Sequence, residues 1–148
     1  MAATKDILTS IHGKRVGLSR DGKLVVNGRT VVSANDAGAS AISQGTPAAV
    51  NATATLTAAQ LLTGIITSTT AAAVVGTLPT GTLLDAAADL AIDEAFDWSV
   101  INTGAANTFT VAAGTGHTVV GNMVVALSTT GRFRSRKTAA NTFVTYRL

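Results

Sequence analysis

The acidic cluster Asp85, Asp89, Asp93, Glu94 and Asp97, together with two histidines, His12 and His117, holds the side chains here that could do acid–base or metal chemistry. Paired carboxylates can bind a divalent cation or flank a glycosidic bond. Asp85 and Asp89 are four residues apart, so they share one helix face. A calcium loop needs oxygen ligands at alternating positions with a glycine at the turn, and this spacing does not supply them. A glycosidase pair would have to come from Asp93, Glu94 and Asp97, held roughly 5–10 Å apart in a cleft. The cluster reads instead as a solvated helix face, or as a patch that meets a basic surface. His12 stands beside Gly13, and His117 follows Gly114 and Gly116 at a turn. Both read as solvated turn histidines. The Gly-x-Gly at 114–116 is followed by neither a helix nor a phosphate-loop lysine. The chain has no cysteine, which removes disulfides and thiolate chemistry. The expectation is a protein that is not an enzyme, with no cofactor, no metal site and no small-molecule substrate.

Charge is ordered along the chain rather than mixed. Residues 1–50 carry six bases and three acids, residues 51–130 carry five acids and no base, and residues 131–148 carry five bases. Two basic sets stand out as interfaces. Lys14, Arg15, Arg20, Lys23 and Arg29 lie in the N-terminal segment and read as a contact to a larger partner. Arg132, Arg134, Arg136 and Lys137 form a ladder that reads as a contact to a sister subunit or to the same partner. Nucleic acid is not expected. Single-strand binders interleave aromatic residues with such charges, yet the N-terminal set has none and Phe133 alternates away from the arginines.

The elements that would position these residues follow from periodicity. Residues 14–32 contain Asp-Gly at 21–22 and Asn-Gly at 27–28 between short β-prone runs, which predicts a three-stranded meander over 15–19, 23–26 and 29–33. Residues 34–49 are rich in Ala, Gly and Ser and read as a flexible linker. Beyond it, Thr57 and Gln60 form a capping-box pattern that opens a short helix. Residues 82–90 predict a second helix. Strands are expected at 50–56, 65–68, 73–78, 96–103, 108–112, 117–120, 123–127, 132–137 and 142–148, with the 117–120 and 123–127 segments paired around Gly121 and Asn122. Short strands between Gly/Asn turns indicate a sandwich. The expected fold is all-β: an antiparallel, jelly-roll-like sandwich over 50–148 with two short helices, preceded by a β-hairpin arm at 1–33.

Ala and Thr make up about a third of the 148 residues, and aromatics only 4%. Small side chains bury little area each, so the core is thin for its size. Thin cores gain from self-association. Neither an apolar leader at the N-terminus nor a membrane-length apolar run is present in the sequence. Synthesis and use in a bacterial cytoplasm is the simplest expectation, with no membrane partner.

Residues 9–28 (TSIHGKRVGLSRDGKLVVNG), 51–87 (NATATLTAAQLLTGIITSTTAAAVVGTLPTGTLLDAA) and 131–148 (GRFRSRKTAANTFVTYRL) resemble the decoration, or cement, proteins of tailed-phage capsids. That resemblance implies a homotrimer on the capsid exterior, placed between capsomers and bound to the major capsid protein, where it stabilises the head. It carries over no site residue. A phage fibre or tail-tip module that binds a host glycan is the alternative. Sugar platforms would place aromatics in the turns, and these turns carry Gly, Ala, Asn and Thr.

Overall fold

The computed structural model describes residues 9–11, 14–18, 24–26, 29–32, 44–69 and 71–148. The chain divides into two units, Met1–Ser43 and Gln44–Leu148. In the first, β1 (Thr9–Ile11), β2 (Lys14–Leu18), β3 (Leu24–Val26) and β4 (Arg29–Val32) form a sheet in that order. Every neighbour is antiparallel. The meander therefore has four strands, with β1 added to the three expected from sequence. The Asp21-Gly22 and Asn27-Gly28 turns lie outside the described residues, as do residues 34–43 of the expected linker.

The second unit is built from two sheets and two short helices. Its strands are β5 (Ala48–Ala49), β6 (Ala54–Thr55), β7 (Ile65–Ser68), β8 (Val74–Thr77), β9 (Ala95–Asn102), β10 (Phe109–Ala112), β11 (His117–Val120), β12 (Val124–Val125), β13 (Thr129–Ala139) and β14 (Thr142–Arg147). Ala48–Ala49, expected in the linker, already pairs with β7. One sheet has the order β11-β14-β13-β9-β7-β5 and the other β12-β10-β8-β6. From β5 to β13, each strand lies in the opposite sheet from the one before it. Between β5 and β10 the chain re-enters each sheet in the direction in which it left it. Hence β5, β7 and β9 run parallel in one sheet, and β6, β8 and β10 run parallel in the other.

This corrects the expected antiparallel, jelly-roll-like pairing. Only β9–β13, β13–β14 and β10–β12 are antiparallel within this unit's described residues. The segments at 117–120 and 123–127 do not pair with each other. β11 runs parallel to β14 and β12 antiparallel to β10, so the Gly121 turn is a crossing between sheets rather than a hairpin. The capping box behaves as expected, whereas the Thr80 cap is unanticipated from sequence and the second helix, expected over 82–90, runs over Gly81–Ala88. Thr57 caps α1 (Ala58–Leu62) with the reciprocal Gln60 bond, and Thr80 caps α2 (Gly81–Ala88).

The inward residues of both sheets make one core. Trp98 stacks on Phe133 at 4.6 Å between ring centroids, and Phe109, Phe143, Leu56, Leu61, Leu78 and Leu84 are buried around them. Alternation decides which side chains enter: Trp98 and Val100 from β9, Phe133 and Ser135 from β13, Phe143 and Thr145 from β14.

Candidate interaction surfaces

The same alternation turns Arg132, Arg134 and Arg136 outward on β13. The register sets Arg134 directly opposite Asp97 of β9. Arg134 Nε donates to Asp97 Oδ1 at 2.6 Å and Nη2 to Oδ2 at 2.8 Å, a bidentate fork. The Arg134 hydrogen bond holds the Asp97 carboxyl below its ordinary range, and the carboxylate raises Arg134 in return. Arg136 Nη2 bonds Asp93, which raises its pKa, with a smaller contribution from Tyr146. Arg132 Nη2 lies 4.0 Å from Asp97, and its side chain is 67% exposed. The acidic segment thus lies along the arginine ladder of its own chain.

Lys137 leaves the ladder. By period two it falls on the Phe133 and Ser135 side, beside a register irregularity between Lys137 and Ala139. There Nζ meets Asp85 Oδ1 at 2.5 Å and donates to the Leu90 carbonyl at 2.8 Å. The second Asp85 oxygen accepts the Asn141 N–H at 2.8 Å. Lys137 is 14% exposed and Asp85 16%. The Lys137 hydrogen bond, then the Asn141 N–H, hold the Asp85 carboxyl below its usual range. Asp89 ends α2 in the left-handed conformation, which short polar side chains tolerate. Glu94 accepts the Ala91 N–H at 2.8 Å.

A buried polar row crosses the six-stranded sheet, unanticipated from sequence. Trp98 Nε1 donates to Ser135 Oγ at 3.0 Å, and Ser135 Oγ shares a 2.9 Å hydrogen bond with Thr145 Oγ1. Asn102, 1% exposed, donates to the carbonyls of Asn107 at 2.8 Å and Ala126 at 3.1 Å, and accepts the Gly104 N–H at 3.0 Å. It ties the end of β9 to the β12–β13 connection. Ser, Thr and Asn in strands signal a solvent face on composition alone. Their positions in the alternating pattern were the available signal.

His117 is the first residue of β11 rather than a solvated turn residue, and it stacks on Phe143 at 5.4 Å. Burial pushes its pKa down. The Pro79 carbonyl opposes that shift, although among the described residues no hydrogen bond of normal geometry satisfies either ring nitrogen. Arg147 lies on the inward side of β14, its guanidinium 4.9 Å from the Phe133 ring centre.

Of the N-terminal set, Lys14 and Arg15 are in β2 and Arg29 is in β4. The backbone register places Lys14 opposite Ile11, Arg15 opposite Ser10 and Arg29 opposite Val26. Arg20, Lys23 and His12 lie outside the described residues. Among the described residues, no group of three or more His, Cys, Asp or Glu side chains could hold a metal ion, and no helix is long and apolar enough to cross a membrane. Comparison of the chain with protein-family models, curated proteins and solved structures finds no match in any of the three.

Proposed function

We propose that the chain is a structural virion protein. It binds the outer surface of a phage capsid between capsomers, as a homotrimer, and stabilises the shell through contacts to the major capsid protein. It reaches the capsid exterior after synthesis in the host bacterial cytoplasm. The supporting observation is the division of labour between the two units. Residues 1–43 carry six bases against three acids, whereas residues 44–148 carry five against five, so the whole net charge of +3 lies in the N-terminal unit. In the second unit Asp85, Asp93 and Asp97 are paired with bases of the same chain. A neutral body and a basic arm suit a protein that assembles through one and attaches through the other. On this reading Lys14, Arg15, Arg20, Lys23 and Arg29 meet the capsid.

The test is co-sedimentation of the full chain with shells of its own phage's capsid protein. Binding is expected for the parent and loss of binding for the triple variant Lys14→Glu, Arg15→Glu, Arg29→Glu. Equal binding by the variant would sink the arm assignment. Glycan binding without shell binding would transfer the chain to the fibre or tail-tip class.

A further inference from the structure

The two outer sheet faces of the second unit differ in kind. The six-stranded sheet presents Arg132, Arg134, Arg136 and Asp97. The four-stranded sheet presents no charge at all. Residues 51–84 and 98–131 contain no Asp, Glu, Lys or Arg. Those two stretches supply β6, β8, β10 and β12 and the loops beside them. The register aligns the outward residues in two rows. Val75, Thr110 and Val124 lie side by side across β8, β10 and β12, and Thr55, Thr77 and Ala112 across β6, β8 and β10. Val75 is 37% exposed, Val124 40%, and Leu127 at the adjoining loop 47%.

We infer that this charge-free face, centred on Val75, Thr110 and Val124, is where copies of this chain associate with one another. A soluble surface ordinarily carries about 25–35% charged residues of both signs. Depletion of charge is the compositional mark of an interface core. A face without charges has no field with which to choose a charged partner, but it is complementary to itself. Burying it against a copy desolvates no ion. The body to which it belongs has five acids and five bases, so approaching copies meet no net repulsion. Three such faces turned toward a common axis put each against both neighbours. The inference rests on the self-association part of the proposed function and not on its capsid part.

The absence of cysteine allows a direct test in the full chain. Single Val124→Cys and Thr130→Cys variants place one thiol on each sheet's outer side. A short bis-maleimide is expected to link Val124→Cys copies into covalent oligomers and to leave Thr130→Cys copies single. In sedimentation at micromolar concentration the parent is expected to be oligomeric and Val75→Lys/Val124→Lys monomeric, with Thr130→Lys unchanged. A monomeric parent, or cross-linking through Thr130→Cys in place of Val124→Cys, overturns the inference. The cysteine variants decide the matter even if the double lysine variant does not fold. An oligomer cross-linked at Val124→Cys that ignores capsid shells would overturn the capsid reading and leave this one standing.

Discussion

Lys137 Nζ lies 2.5 Å from Asp85 Oδ1, joining helix α2 to the far end of β13 in a site where both side chains are largely covered. The pair closes the core at the edge where α2 packs, and the Asn141 N–H and Leu90 carbonyl take up further capacity of the two groups.

Asp85→Asn is therefore expected to lower the melting temperature at neutral pH, and the loss should depend on pH in a defined direction. The Asp85 carboxyl titrates below its ordinary 3.8 in the folded chain. A depressed carboxyl contributes stability that is present above its unfolded value and lost as pH falls through the folded one. The gap in melting temperature between parent and variant should stay constant down to about pH 5 and close below the unfolded value. Calorimetry across that range checks it. A gap that persists at low pH would show that the ion pair is not its source. Asp97 is depressed too, but it titrates in both proteins and cancels in the difference.

Ser135→Ala removes the acceptor for the buried Trp98 Nε1 and the partner of Thr145. Leaving a buried donor unsatisfied costs about 1–3 kcal/mol. Denaturant unfolding should show a loss of that size. Trp98 is the chain's single tryptophan, so its emission reports the same site directly. No loss in the midpoint would mean that water enters to replace the hydroxyl.

Gly81→Ala should destabilise, although Ala favours an isolated helix over Gly by about 1 kcal/mol. Gly81 is the first residue of α2, and a Cβ there would sit 1.9 Å from the Asn141 carbonyl oxygen. Backbone atoms cannot rotate away as a side chain could. Expected is a drop in melting temperature, with Gly45→Ala, whose added Cβ meets nothing within 4 Å among the described residues, as the neutral comparison. A rise for Gly81→Ala would contradict the close approach.

Asn102→Asp should cost more at pH 7 than at pH 4. The Asn102 amide donates to the carbonyls of Asn107 and Ala126, and a carboxylate would oppose both. Burial and facing carbonyls raise a carboxyl's pKa, so the damage grows as pH rises through that value. Asn102→Ala, which orphans the buried Gly104 N–H, should cost about 1–3 kcal/mol with little pH dependence. Melting curves at the two pH values separate the variants.

The local parts of this structure were legible in the residues. The Thr57–Gln60 capping box, the alternation of Trp98 and Val100 on β9, and the outward turn of Arg132, Arg134 and Arg136 each depend on neighbours a few positions away. So did the place of Lys137 on the opposite side from those arginines, a consequence of period two that grouping by charge conceals. Strand partnership was not legible. A Gly-rich turn serves equally to fold a strand back onto its neighbour or to carry it across to a facing sheet, and sequence alone does not separate the two. Only the packing of both inner faces on one core selects the crossing, and with it the parallel pairs β5–β7–β9 and β6–β8–β10. The acidic segment's partner was hidden for the same reason. Residues set which side chains face in or out and carry the charges, whereas register across strands distant in the chain decides which charge meets which.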